Sequence, residues 1–169
     1  MQIFKEKAAL AGVVEKVKSE KLSIGFVPTM GALHEGHLSL VRQAYESCEV
    51  VVVSIFINPT QFNNPADLEN YPRTLDQDLE KLAALKIDKL LIFVPSASEL
   101  YGNLVKSQHF NFEGLENKME GKFRAGHFDG VGTIVKRLFE LVKPDKAFFG
   151  EKDYQQLQVI RKMVKNEGL

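Results

Sequence analysis

Two histidines three positions apart, His34 and His37, flank Gly36 in the string PTMGALHEGHLSLVR, residues 28–42. Imidazoles beside a glycine-broken turn can hydrogen-bond phosphate oxygens without carrying a permanent charge. The residues before them, Ile24, Phe26 and Val27, are apolar, as in a buried strand. From His37 onward, Val41, Ala44, Tyr45 and Cys48 recur at i, i+3, i+4 and i+7, the helical period. The pair therefore sits where a strand gives way to a helix N-terminus. The orphan amides and positive dipole end there favour an anion. Phosphate or nucleotide binding is the leading chemistry, and a capping or solvated pair of histidines is the plainer alternative. Zinc is weaker, because structural zinc usually takes four ligands and the only cysteine, Cys48, falls mid-helix on the apolar stripe.

Two further polar clusters follow apolar runs. VVVSIFIN ends in Asn58-Pro59-Thr60-Gln61. Asn58 and Gln61 are neutral donors and acceptors that suit a substrate bearing hydroxyls, although Asn-Pro is also ordinary turn chemistry. FFGEKDYQQL carries Gly150, Lys152, Asp153 and Gln156. Lys152 could place a point charge on phosphates. Asp153 could accept from ribose hydroxyls, and Gln156 and Gln61 could converge on one small polyol. The alternative is a helix start with Asp153 as cap and Lys152 solvated. GKFRAGHFDG, residues 121–130, holds Arg124, His127 and Asp129 between glycines. It is either a mobile loop that closes over substrate or a solvated surface loop. Asp76 and Asp78, two apart, do not share a helix face, so no metal site is expected there.

The elements that must position these residues can be read in order. A helix is expected over residues 4–19, with Leu10, Val13, Val14 and Val17 as its stripe. Val50–Ile57 and Lys89–Val94 read as strands covered on both faces. Pro65–Arg73 is loop-like, and Leu75, Leu79 and Leu82 mark a helix. Ser96–Arg124 is irregular, with a short edge strand expected near His109–Phe112 and a helix near Leu115–Met119. Val131 to Leu141 defines a helix closed by Pro144, Lys146–Phe149 a short strand, and Leu157, Ile160 and Val164 a last helix. Alternating strands and helices imply right-handed crossovers and an α/β, Rossmann-like doubly wound parallel sheet with helices on both faces. Ligands of such sheets bind beyond the carboxyl ends of the strands. The three polar clusters all lie there.

Composition bounds the remaining classes. The 169 residues, 44% hydrophobic and 26% charged, are one domain's worth of a globular chain. Twenty-two basic residues balance 22 acidic ones, so no overall field draws nucleic acid or an anionic membrane. A single cysteine excludes an intrachain disulfide and suits a cytoplasmic protein. The start, MQIFKEKAAL, lacks the apolar run of a signal peptide.

His34-Glu35-Gly36-His37 is a form of the H-x-G-H signature of nucleotidylyltransferases and class I aminoacyl-tRNA synthetases. The longer strings PTMGALHEGHLSLVR, FINPTQF, YPRT, RAGHFDGV and FFGEKDYQQL together resemble the pantoate–β-alanine ligase family along essentially the whole chain. The resemblance implies ATP-dependent condensation of pantoate with β-alanine through a pantoyl adenylate, with Mg²⁺ accompanying ATP. It implies a phosphate-neutralising set of His34, His37 and Lys152. It assigns ATP to Met30, His34, Gly36, His37, Gly150, Lys152 and Asp153, and pantoate to Met30, Gln61 and Gln156. Asn58 and Arg124 are the substrate-loop candidates. It further implies a homodimer.

Members of that family usually continue into a serine- and arginine-bearing segment and a small closing domain. Residues 1–169 are accordingly expected to be the N-terminal nucleotide- and pantoate-binding domain alone, with weak or absent turnover. Two rival functions stay open: a nucleotidyltransferase of the same superfamily acting on a phosphate acceptor, and a non-catalytic nucleotide-binding module.

Overall fold

The computed structural model describes all residues 1–169. Five strands form one parallel sheet: β1 (Gln2–Phe4), β2 (Ile24–Thr29), β3 (Val50–Ile55), β4 (Leu90–Phe93) and β5 (Lys146–Ala147), in the order β1-β4-β3-β2-β5. The longer helices are α1 (Lys7–Ser19), α2 (Glu35–Ser47), α4 (Leu75–Ala84), α6 (His127–Val142) and α7 (Tyr154–Glu167). Short helices α3 (Pro65–Glu69) and α5 (Ala97–Tyr101) lie in the connections.

Strand periodicity builds two cores. Along β3, Val50 and Val52 face one cluster with α1, α6 and α7, while Val51, Val53 and Ile55 face the other with α2 and α4. All six β3 residues are buried, as expected of a central strand covered on both faces. The chain runs outward from β2 to β3 and β4, then returns to place β5 on the opposite flank of β2. That reversal is the topological switch point, and it opens a crevice at the carboxyl ends of β2 and β5.

Several expected boundaries differ. Phe4 lies in β1, opposite Phe93, and α1 begins only at Lys7. The reason is tertiary. Pairing with β4 claims the first residues, and Glu99 from α5 accepts from the Lys7 amide at 2.8 Å. Cys48 lies just past α2 rather than within it, and Leu38 replaces the exposed Tyr45 on the buried stripe. The cysteine is thus roughly 20 Å of helix away from the histidine end. Residues 65–69, expected as loop, form α3, capped by the Asn64 side chain. No strand forms at His109–Phe112; instead Asp129 accepts from the Phe110 amide at 3.0 Å, and Phe110 stacks on Phe112. The region of residues 115–122 makes two 3-10 turns rather than a helix. β5 stops at Ala147, two residues short of the expected strand end.

Candidate functional site

α2 starts at the histidines, and they cap it reciprocally. The His34 Nδ1 accepts from the Gly36 amide at 3.1 Å, and the His37 Nδ1 accepts from the His34 amide at 3.3 Å. A ring nitrogen that accepts an amide proton is itself unprotonated, so each neutral ring carries its proton on Nε2. The rings lie 4.1 Å apart. Burial and the neighbouring His34 push the His37 pKa below its ordinary value. His37 is therefore a neutral Nε2–H donor at pH 7, suited to an anionic oxygen.

Before the helix, the backbone takes a left-handed course at Gly31 (φ 85°) and Ala32 (φ 50°). Glycine meets the first requirement without strain, whereas Ala32 does not. α4 holds this loop in place. Buried Asp78 accepts from the amides of Ala32 and Leu33 at 2.9 and 2.7 Å, and Lys81 donates to the Leu33 carbonyl at 2.6 Å.

Asn58 precedes and Gln61 ends a 3-10 turn, Pro59–Gln61, wedged against α6. The Asn58 side chain is 1% exposed and fully engaged. It donates to the Gln61 Oε1 at 2.9 Å and to the Gly130 carbonyl at 3.1 Å, and it accepts from the Tyr101 hydroxyl at 2.6 Å. The Gln61 amide is thereby oriented with its Nε2 donors free. His127 donates from Nδ1 to the Gln61 carbonyl at 2.8 Å; burial lowers its pKa, which keeps the ring neutral.

The turn can approach α6 so closely because residue 130 is glycine. A Cβ there would stand 2.2 Å from the Thr60 carbonyl oxygen. α6 starts at His127, so the last part of residues 121–130 is helix rather than loop.

A cavity of about 220 Å³ lies at the switch point, and five of the expected residues line it: Met30, His37, Gln61, Asp153 and Gln156. Its apolar wall comes from α6, with Val131, Ile134, Val135 and Leu138, and from Phe149. The volume is below the range of about 300–1,000 Å³ for larger ligands, so it suits a small molecule.

Six expected residues do not line the cavity. His34, Gly36, Gly150 and Lys152 are exposed beside it. Asn58 lies behind Gln61. Arg124 pairs with Glu120 at 2.7 Å and borders a separate depression. Tyr71, which belongs to the YPRT string but was given no role, and Ser54, which sequence reasoning did not single out, also line the cavity. Nor was Asp78 seen as a loop anchor, since its two amide partners are far away in sequence. No group of three His, Cys, Asp or Glu side chains is arranged to hold a metal ion.

The family model described as pantoate-beta-alanine ligase matches residues 2–169. The chain is 62% identical over 169 residues to the pantothenate synthetase of Christiangramia forsetii, covering all of this chain and 59% of that protein. It is 52% identical to the one from Flavobacterium psychrophilum, covering 60% of it. The chain therefore spans about 59–60% of the length of these relatives. A crystal structure of pantoate-beta-alanine ligase from Francisella tularensis, complexed with beta-gamma ATP and beta-alanine, superposes with a TM-score of 0.91 at 44% identity. The match covers 99% of this chain and 63% of that one.

Proposed function

Since the chain belongs to the pantoate–β-alanine ligase family, we propose that its switch-point cavity binds pantoate next to ATP for adenylation and amide formation. The observation that carries this reading is the meeting of Gln61, Gln156, Met30 and His37 in one small cavity with an apolar wall. Pantoate is a small acid with two hydroxyls and two methyl groups. Glutamine amides match its hydroxyls, and the α6 side chains match its methyls.

In the first step the pantoate carboxylate attacks the α-phosphate of ATP, pyrophosphate leaves, and pantoyl adenylate forms. In the second, the amine of β-alanine attacks the acyl carbon and AMP leaves. Neither step needs a protein nucleophile. Phosphoryl transfer calls for positioning and neutralisation of charge. His37 and His34 would donate to phosphate oxygens, with Lys152 adding a charge from its exposed turn. Asp153 and Gly150 would meet the ribose, and the Met30 backbone the pantoate carboxylate.

Mg²⁺ would arrive on ATP, bound by phosphate oxygens and water. The donor set fits this, because Asp153 is the one carboxylate lining the cavity and no protein cage surrounds it. A homodimer and a cytoplasmic location belong to the same proposal. No helix is long and apolar enough to cross a membrane.

Calorimetric titration of D-pantoate, with and without a non-hydrolysable ATP analogue and Mg²⁺, tests the reading. Saturable heat that is lost in Gln61→Ala supports it. ATP-analogue binding without any pantoate binding would replace it with the nucleotidyltransferase or nucleotide-binding reading.

A further inference from the structure

Ser54 is the only polar residue in the run Val50–Phe56. Strand alternation turns it to the same side as Val52 and Phe56, toward α6. It is 0% exposed, yet it lines the same cavity as Gln61 and Gln156. Its Oγ has no hydrogen-bond partner. The residue paired with it on β2 is Pro28, which has no N–H to offer. Its carbonyl, by contrast, is used, accepting from the Thr29 hydroxyl at 2.8 Å. An orphaned hydroxyl in an apolar wall disfavours the unliganded protein, and alanine or valine would avoid that cost. Such a group calls for a partner outside the fold.

Resting on the reading that the cavity takes pantoate, we propose that Ser54 Oγ hydrogen-bonds the terminal hydroxyl of pantoate, the one farthest from its carboxylate. The direction follows from the strand ends. β2 and β3 finish at Thr29 and Ile55, and Ser54 lies one residue inside that edge. His37 and Asp153 come from elements beyond the edge. The carboxylate has to meet the phosphate outside the strands, so the other end of the acid points inward. Val131 and Val135 of the cavity wall then face its methyl groups. Ser54 stands on the central strand and cannot follow a shorter substrate, which makes it a specificity determinant.

The test compares calorimetric affinities of wild type and Ser54→Ala for D-pantoate and for the analogue whose terminal hydroxymethyl is a methyl. Wild type should bind the analogue about tenfold more weakly than pantoate, a difference of about 1.4 kcal/mol. Ser54→Ala should bind pantoate about tenfold more weakly than wild type while losing much less affinity for the analogue, so that the preference narrows to what the glutamine amides supply. The unliganded Ser54→Ala protein should melt at the same temperature or higher, whereas a mere packing role predicts a fall. Ser54→Cys, a weak donor of nearly the same shape, should fall between the two and serves if the alanine variant does not fold. Unchanged pantoate affinity in Ser54→Ala, or equal losses for pantoate and analogue, would overturn the assignment while leaving the pantoate reading intact. Wild type that binds no pantoate overturns both.

Discussion

The carboxylate of Asp78 accepts from the amide of Leu33 at 2.7 Å across 45 residues of sequence. With the Ala32 amide on its second oxygen, it fixes the loop from which α2 and its two histidines start. The amides of Ala32 and Leu33 are thus satisfied within the fold. What remains for an anion is the Nε2–H groups of the histidines and whatever the mouth of the cavity adds. Asp78→Asn keeps the shape but turns an N–H₂ toward one amide. It should lower stability by about 2 kcal/mol and weaken ATP-analogue binding. Urea unfolding and calorimetry measure the two effects, and unchanged stability would remove Asp78 from this role.

Gly130 and Gly12 predict opposite outcomes for the same substitution. A Cβ at Gly130 would stand 2.2 Å from the Thr60 carbonyl oxygen, so Gly130→Ala must push the Pro59–Gln61 turn off α6. The expected loss is about 1–3 kcal/mol, with pantoate binding falling as Gln61 moves. Gly12, in α1, has nothing within 4 Å of its Cβ position. Gly12→Ala should stabilise by about 0.5–1 kcal/mol through helix propensity. Thermal melts of both variants check the pair.

Gln155 and Gln156 are neighbours with separate roles. Gln155 donates to the carbonyls of Leu115 and Lys118 at 2.8 and 2.6 Å and accepts from the Glu120 amide at 3.1 Å. Gln156 lines the cavity. Gln155→Ala should cost about 1–3 kcal/mol of stability. Gln156→Ala should leave the melting temperature in place and weaken pantoate binding. Loss of stability in Gln156→Ala with pantoate affinity intact would reverse the assignment.

Acid should destabilise the fold before its carboxylates titrate. His37 and His127 both have folded pKa values below the ordinary 6.5, chiefly through burial. Between the folded value and 6.5 the unfolded chain binds more protons, so stability rises with pH in that window. Their contribution is fully present above pH 6.5 and is lost as pH falls toward the folded values. His109, raised by Asp129, acts in the opposite sense but is fully exposed. Melting temperatures from pH 8 down to pH 5 should decline. The decline should be smaller in His127→Asn; an equal slope would discount the buried ring.

Much of the site was legible because local chemistry and location coincide. Apolar runs followed by Met30–His37, Asn58–Gln61 and Gly150–Gln156 identified strands with polar ends, and a parallel sheet puts such ends on one edge. The alternation of Val50–Ile55 between two cores is likewise written in residue type alone. The amino-acid sequence by itself determined four of the five strands, the long helices and the switch-point crevice, and it named the clusters at the rim of that crevice.

Only the tertiary structure decided which members of each cluster face inward. Asn58 looks like a binding residue from its type, yet long-range bonds to Tyr101 and Gly130 make it the support that orients Gln61. Gln155 and Gln156 are identical in type and adjacent, and the helix rotation that separates them is set by where the 115–120 segment packs. The anchoring of Ala32 and Leu33 by Asp78 and the missing partner of Ser54 depend on contacts between distant parts of the chain. No local propensity encodes such contacts, because a buried polar group's partner is fixed only when the layers close around it.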